Sequence, residues 1–151
     1  MTSIACSKAF KIEEIPIEQA FHLFSPEGEK EWVLGWNYQN LMGTTELCED
    51  YIFTTKTHDH TATKALWIVK HYDPGNYVIE LYRVEPEEKI GVIRVTCSDS
   101  GQETTDVTVT YRCVALSTTG EQFINSFTKD HYNDFITEWQ SLLQEYQKNK
   151  S

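Results

Sequence analysis

The sequence lacks several features that would place it in a broad class of proteins. No apolar run approaches the roughly 20 residues that a membrane-spanning helix needs, and no basic segment followed by an apolar core marks a secretory signal. Positive charge is scarce, since 13 basic residues face 23 acidic ones and the formal net charge is −10. Such a chain is repelled by phosphate backbones and anionic lipids, so we expect no nucleic-acid partner and no membrane insertion.

Cysteine is sparse, and its spacing does not suit a metal site. The four cysteines are Cys6, Cys48, Cys97 and Cys113, with no Cys-x-x-Cys pair among them. All four fall in strand-like segments, where a free thiol packs like a small apolar side chain. We therefore expect a reduced, cytoplasmic protein without a cofactor or a bound metal.

Motifs of catalysis and metal binding are weak as well. His58 and His60 could together bind a metal, but only Asp59 accompanies them in a polar turn, so we favour an exposed turn. No Ser–His–Asp or Cys–His arrangement can be argued from the spacing. The positions of Gly28 and Gly35 indicate a turn and a cap, not a phosphate-binding loop.

The residues that are present predict one α+β domain over residues 1–151. Hydrophobic content of 40% and aromatic content of 13% are typical of a globular core. Apolar residues alternate over residues 4–12, which indicates a first strand. Two short helices are predicted next. The first begins at Ile15-Pro16, and the second is capped by Ser25 and ends near Gly35.

From Thr44 onward the apolar residues recur at every second position, as in strands. Turn signals separate these segments, and strands joined by tight turns predict an antiparallel meander. The predicted strands cover 44–54, 65–72, 77–84, 90–97 and 105–115. A long helix capped by Thr118 or Thr119 closes the chain. Its apolar stripe from Ile124 to Tyr146 indicates that it lies along the sheet.

The last predicted strand decides which side chains face the helices. Its odd-numbered residues are apolar, so we expect them to face inward and the even-numbered residues to face water. Pairing Tyr72 with Tyr77 across the turn extends this pattern to the neighbouring strands and sends Arg83 outward. The residues then expected to face inward on these two strands are Trp67, Val69, His71, Val78, Glu80, Tyr82 and Val84.

Polar groups on this inward face are the one hint of a site. Glu49, His71 and Glu80 are expected there, with His131 on the flank of the helix stripe opposite. A buried carboxylate without a partner is costly, so these groups either pair with each other or face water or a ligand. Glu80 and His71 on neighbouring strands could form an acid–base pair. The alternatives are a structural cluster or a hydrated pocket edge, and we favour these.

One segment resembles a known family. Phe24-Ser25-Pro26-Glu27-Gly28-Glu29, followed by Trp32 and Gly35-Trp36, is similar to the signature of a bacterial branch of the START-like (SRPBCC) superfamily. Further similar segments are Trp67-Ile68-Val69, Arg83-Val84-x-Pro86, Thr108-Val109-Thr110-Tyr111 and Glu138-Trp139, so the resemblance covers essentially the whole chain. It implies the helix-grip fold, a curved antiparallel sheet wrapped around a long C-terminal helix, in the order β-α-α-β-β-β-β-β-α.

The resemblance also implies a cavity between the sheet and the C-terminal helix. In relatives this cavity binds lipids, sterols, polyketides or other hydrophobic molecules, so we expect a small hydrophobic or amphipathic ligand. A cyclase-like acid–base enzyme and a chaperone-activator-type interaction module are the alternatives. Trp32 and Trp36 could line an entrance, pack in the core or cover the cavity. The candidate ligand-binding residues are Tyr51, Trp67, Val69, His71, Glu80, Tyr82, Tyr111, His131 and Phe135.

Overall fold

The computed structural model describes residues 3–56 and 64–150, which contain seven strands and four helices. In chain order these are β1 (Ser3–Ile12), α1 (Ile17–His22), α2 (Pro26–Glu29), β2 (Tyr38–Asn40), β3 (Ile52–Lys56), β4 (Lys64–Asp73), β5 (Val78–Glu85), β6 (Lys89–Gly101), β7 (Thr104–Ala115), α3 (Thr118–Ser126) and α4 (Lys129–Lys150). The strands form one antiparallel sheet in the order β1-β7-β6-β5-β4-β3-β2. The predicted α+β fold class, a curved sheet closed by a long C-terminal helix, is confirmed.

Helix α2 is held against the end of α1 by a cap and a glycine. The Ser25 hydroxyl accepts a hydrogen bond from the Gly28 backbone N–H at 3.0 Å and donates to the His22 carbonyl at 2.6 Å. A Cβ atom at Gly28 would collide with that same carbonyl oxygen, so only glycine allows this close approach. The predicted capping role of Ser25 is therefore confirmed. The helix itself is shorter than predicted, because it ends at Glu29 rather than near Gly35.

The concave face of the sheet carries the core. The odd-numbered residues of β7 are buried there, as the alternation predicts, and they lie under α4. The Tyr132 hydroxyl donates to the Val109 carbonyl at 2.6 Å, which fixes the start of α4 to the middle of β7. Further along the helix, the Gln140 side chain donates to the Lys11 carbonyl at 3.0 Å and ties α4 to β1. Ile136 and Leu143 are completely buried between them.

Three boundaries differ from those predicted. The strand predicted from Thr44 begins only at Ile52, and an additional short strand, β2, pairs with it. The C-terminal helix is divided into α3 and α4, because Phe127 leaves the helical region of backbone conformation (φ −92°, ψ 73°). The cap of α3 is Ser117, whose hydroxyl accepts from the Gly120 N–H at 3.4 Å. The predicted caps, Thr118 and Thr119, lie inside the helix.

The predicted facing of β5 is wrong, and so is that of His71. A bulge at Lys70 inserts one extra residue into β4, so the residues on its two sides follow different alternation. Val69 pairs with Leu81 facing inward, whereas His71 pairs with Glu80 on the outer face. The inward residues of β5 are consequently the odd-numbered ones. The extra residue explains the error, since the expected pairing assumed unbroken alternation through β4.

Two further expectations need correction. Cys48 is exposed and lies outside any strand, because the chain before Ile52 is irregular, whereas Cys6, Cys97 and Cys113 are buried free thiols as predicted. Glu49 is exposed for the same reason. Among the described helices, none is long and apolar enough to cross a membrane.

Candidate functional site

A cavity of about 400 Å³ lies between the concave face of the sheet, the segment 30–37 that follows α2, and helices α3 and α4. Leu34 and Phe135 are the exposed large apolar side chains on its wall, with 74% and 38% of their surface accessible. All four tryptophans of the chain take part in the wall. The aromatic side chains that line it are Phe24, Trp32, Trp36, Phe53, Trp67, Tyr111, Phe123, Phe127, Phe135 and Trp139.

The aromatic rings brace one another across the cavity. Trp32 meets Trp139 edge to face, with the ring centroids 5.7 Å apart, and so joins the segment after α2 to α4. Trp36 meets Trp67 in the same way at 6.0 Å, and Trp67 stacks on Phe53 at 5.5 Å. Ring pairs at these separations and angles are favourable beyond the area that they bury. The wall is therefore pre-formed.

The indole N–H groups of three of these tryptophans are used within the protein. Trp32 donates to the Leu23 carbonyl at 2.7 Å and Trp36 to the Pro26 carbonyl at 2.9 Å. Trp67 donates to the Thr55 hydroxyl at 2.9 Å. With these donors satisfied, the tryptophans present mainly apolar ring surface to the cavity. Of the alternatives for Trp32 and Trp36, the structure places both in the cavity wall, with Trp32 almost completely buried.

Arg83 brings a charged group to the cavity wall. Its Nη2 lies 3.0 Å from Glu85 Oε1, and the guanidinium sits 5.4 Å from the centre of the Trp67 ring. The Nε atom is buried and has no hydrogen-bond partner among the described residues. Such unpaired buried donors are rare in folded proteins, because the lost hydration is not replaced. This N–H group is thus an unpaired donor enclosed within the wall, with almost no accessible surface of its own.

Beyond Arg83, a chain of buried charges connects the sheet to α3. Lys89 lies 2.5 Å from Glu85 Oε2 and 2.7 Å from Glu88 Oε1, and its ammonium group sits 4.1 Å from the centre of the Phe123 ring. Burial opposes the charge of Lys89, but the hydrogen bonds to the two carboxylates outweigh it and raise the pKa. The two cations and two carboxylates of this cluster balance in charge.

Glu29, at the end of α2, supplies a second polar group to the cavity wall. Its side chain is half-buried, and among the described residues its carboxyl group has no hydrogen-bond partner. Burial raises the pKa of this carboxyl well above its usual range. Glu27 differs, since hydrogen bonds from Lys30 and Tyr38 lower its pKa. Two glutamates of one short helix therefore have opposite protonation tendencies.

The structure brings three of the nine candidate residues to the cavity wall, namely Trp67, Tyr111 and Phe135. Tyr51 and Val69 are completely buried in the core instead, where the Tyr51 hydroxyl donates to the Thr44 carbonyl at 2.6 Å. The roles of all five in ligand binding stay predictions.

The other four candidates are absent from the cavity wall, although Glu80, Tyr82 and His71 were expected to face inward and His131 to lie on the flank of the helix stripe. Glu80 is on the outer face with Lys70, 3.1 Å away, and Tyr82 packs under the same lysine. His71 pairs with the exposed Glu49 at 3.2 Å, so it does not form the acid–base pair with Glu80. His131 is exposed and approaches the Ser126 carbonyl at 3.3 Å. The bulge at Lys70 accounts for the strand residues.

Sequence reasoning missed Glu29 and Arg83. The family-like segment contains Glu29 without marking it as a site residue, and the predicted alternation places Arg83 on the outer face. A signal for Arg83 existed, since Ile79 and Leu81 alternate with it, but Val78 and Val84 made the opposite parity equally plausible. Among the described residues there is no group of three or more His, Cys, Asp or Glu that could hold a metal. His58 and His60 lie outside the described residues.

Comparison with known proteins identifies the fold. Norcoclaurine synthase from Thalictrum flavum, in complex with dopamine and hydroxybenzaldehyde, superposes with a TM-score of 0.65 at 8% identity, covering 95% of this chain and 87% of that chain. Ara h 8.0201 gives a TM-score of 0.66 at 7% identity, with 95% of both chains covered. A putative uncharacterised protein from Rhizobium leguminosarum gives 0.60 at 13% identity, covering 98% of this chain and 97% of that one.

At these identities the structural likeness defines architecture and leaves activity open. No protein-family model matches the sequence, and no curated protein matches it. The bacterial branch suggested by the segment after Phe24 therefore stays a prediction. The sheet order, the long closing helix and the similar structures together show that the chain has the helix-grip fold.

Proposed function

We propose that the protein binds a small hydrophobic or amphipathic molecule in the cavity between the sheet and the C-terminal helices. The observation that carries this proposal is the cavity itself, about 400 Å³ of space walled by aromatic rings inside an otherwise packed core. Small-molecule sites are typically concave spaces of roughly 300–1,000 Å³, mostly apolar, with a few placed polar groups. The cavity has this size and this composition.

The apolar character of the cavity wall also supports ligand binding. An apolar space of this size gains little from water, because the rings offer few hydrogen bonds, whereas an apolar ligand would recover dispersion contacts. Leu34 and Phe135, the exposed apolar residues of the wall, would contact a ligand at its open side. The similar norcoclaurine synthase structure holds dopamine and hydroxybenzaldehyde, so this fold accommodates small aromatic molecules in that protein.

The alternatives have no stronger support. The acid–base enzyme can no longer rest on Glu80 and His71, since the structure turns both away from the cavity. The interaction module and the enzyme stay predictions.

Native mass spectrometry of freshly purified protein is the first test. We expect an excess mass that is lost on denaturation and that corresponds to a small organic compound. A bare protein mass, combined with the absence of binding in the next experiment, would contradict the proposal.

The second test uses anilinonaphthalene sulfonate as the probe and the tryptophan fluorescence as the readout, since all four tryptophans line the cavity. Val95→Phe adds a ring inside the cavity, and Val92→Phe adds the same atoms to the outer face of the same strand. We expect the first variant to lose about tenfold or more in probe affinity and the second to retain it, with thermal unfolding as the check of folding. Equal affinity in both variants would mean that the probe binds elsewhere.

A further inference from the structure

The outer face of the sheet is apolar in a region where an antiparallel sheet is usually polar. One face of such a sheet packs on the core and the other meets water, so its strands alternate between apolar and polar residues. In β4, β5 and β6 this alternation is interrupted, because adjacent positions are apolar on both faces. The outward-facing set, the outer patch, consists of Leu66, Val84 and Ile90 in one row and Ile68, Tyr82 and Val92 in the next.

The outer patch is contiguous and accessible. Each row runs across the three strands, with every member directly opposite the next. The row that ends at Ile90 continues onto β7 with Val114, which has 50% of its surface accessible. Since neighbouring strands lie about 4.8 Å apart, this row spans roughly 14 Å. The six side chains of the patch are half-buried, so each still offers surface to a partner.

Four exposed cations border the outer patch, namely Lys64, Lys70, Arg94 and Arg112. Among the described strand residues around the patch, the one carboxylate is Glu80. Its side chain is only 12% exposed and is paired with Lys70 at 3.1 Å and with Arg94 at 3.8 Å. Even when Glu87 of the adjoining turn is counted, cations outnumber carboxylates by four to two. In a chain with 23 acidic and 13 basic residues, this border is a local reversal of charge.

Size and charge together indicate which kind of partner fits the outer patch. A stable dimer buries roughly 800 Å² on each partner, whereas two short rows of apolar side chains offer about 250 Å². A two-fold axis through this face would also place the same cations of two copies against each other. A single acidic, amphipathic segment fits both the small area and the positive border.

We propose that the outer patch binds an acidic amphipathic helix of a partner protein. The inner face of the same sheet shows such an arrangement, since α4 packs Tyr132 and Ile136 against it. A helix on the outer face would give the sheet a helical layer on each side. About ten helical residues span 14 Å, so that the apolar stripe of the partner helix covers the patch while its carboxylates reach the bordering cations. The cavity lies on the other face and is not involved.

Two synthetic peptides of about 15 residues test the charge preference. Both carry leucine at helical spacing, and the remaining positions are glutamate in one peptide and lysine in the other. Fluorescence anisotropy of the labelled peptides gives their affinities. We expect the acidic peptide to bind about tenfold more tightly, with an advantage that shrinks as salt is added. The net charge of −10 favours the lysine peptide, so the opposite preference requires a local basic surface.

Substitutions assign the binding to the outer patch. Val92→Glu places a carboxylate within the patch and should weaken binding of the acidic peptide about tenfold or more. Thr108→Glu is the matched control, because Thr108 faces outward on β7 beyond the patch, and it should retain the affinity. Thermal unfolding checks that both variants are folded.

The bordering charge is tested separately, which keeps the proposal decidable if Val92→Glu does not fold. Arg112→Met removes an exposed cation directly opposite Val92 and should weaken the acidic peptide several-fold. Lys11→Met removes a cation roughly 20 Å further along the same face and should retain the affinity.

Four results would each overturn the proposal. The first is equal binding of the two peptides, or binding of neither. The second is an equal loss of affinity in Val92→Glu and Thr108→Glu, which would mean that the peptide binds elsewhere. The third is a loss in Val95→Phe, which would move the peptide to the cavity. The fourth comes from sedimentation, where a dimer that Val92→Glu dissociates would show that a second copy occupies the patch instead.

Discussion

The interior under α4 is packed where it meets β1 and open where it meets the segment after α2. At the packed end, Ile12, Val107, Ile136 and Leu143 have no accessible surface. At the open end, side chains of similar apolarity surround about 400 Å³ of space. The same helix serves both ends, since Ile136 faces the packed core and its neighbour Phe135 faces the cavity.

The cavity at the open end is not a packing defect. Its wall is rigidified by ring-to-ring contacts and by indole hydrogen bonds, and its charged cluster is balanced. Complete burial therefore characterises one end of the interior, and a braced wall around open space characterises the other.

The largest effect is expected from Lys89→Met at the open end. Removing the ammonium group leaves Glu85 and Glu88 buried without their shared cation, which should lower the free energy of unfolding by roughly 3–5 kcal/mol. Chemical denaturation measures the loss. Lys11→Met is the control, because Lys11 pairs with Asp106 on the surface, where both side chains are exposed, and should matter little. Equal losses in the two variants would show that the buried cluster does not stabilise the fold.

The next largest effects are expected at Ile136 and Phe135, which are neighbours on α4. Ile136→Ala opens a void in the packed core and should cost about 3 kcal/mol without changing the affinity for anilinonaphthalene sulfonate. Phe135→Ala should cost less stability, because its side chain is partly exposed, but should weaken the probe several-fold. The two measurements are denaturant unfolding and probe titration. The division between the ends is wrong if both variants lose stability and affinity in the same proportion.

The pH dependence of stability in Glu29→Gln tests whether the Glu29 carboxyl group at the open end is buried. The fold raises the pKa of Glu29 above its ordinary value of 4.5, so the folded state holds the proton more tightly than the unfolded state. Stability from this group is therefore greatest below that value and falls as the pH rises through the raised pKa. The neutral amide removes the penalty, and we expect the thermal midpoint of the variant to gain on the wild type with increasing pH.

The control for that titration is Glu31→Gln, on an exposed side chain. A midpoint difference for Glu29→Gln that stays constant across the pH range would contradict the burial of the carboxyl group as the cause.

The smallest effects concern the two helix caps that border the cavity. Ser25→Ala removes the cap of α2 and should cost about 1 kcal/mol. Ser117→Ala removes the cap of α3 and should cost less, since its hydrogen bond is 3.4 Å long against 3.0 Å for Ser25. Thermal unfolding of both variants under one condition checks the order. A larger loss for Ser117→Ala would contradict the distances as a measure of cap strength.

Much of the fold was predictable because local signals agreed with the global arrangement. Ser25 and Pro26 define the start of α2, and the alternation of β7 places its odd-numbered residues under the helices. Both signals act within a few residues. The predicted fold class and the Trp67, Tyr111 and Phe135 positions in the cavity wall follow from such signals.

The polar part of the site was not predictable, since it depends on a feature without a sequence signature. A bulge at Lys70 shifts the alternation by one residue, which turns His71 and Glu80 outward and brings Arg83 inward. Glu29 lies in the cavity wall at the end of α2, where the sequence predicted a helix continuing toward Gly35. The orientation of Arg83 and the position of Glu29 are therefore set by the tertiary structure and not by a local sequence signal.

The close backbone contacts of the two short helices α2 and α3 affect how a ligand could enter and leave the cavity. At Gly28 and at Gly120 a Cβ atom would collide with a backbone carbonyl oxygen, of His22 and Glu88 respectively, so α2 and α3 rest backbone on backbone against their neighbours. These helices cannot move away from the cavity without breaking their backbone contacts with the neighbouring segments. We expect a ligand to enter and leave by rotation of the exposed Leu34 and Phe135 side chains, which occurs in nanoseconds rather than in the microseconds to milliseconds of a moving lid.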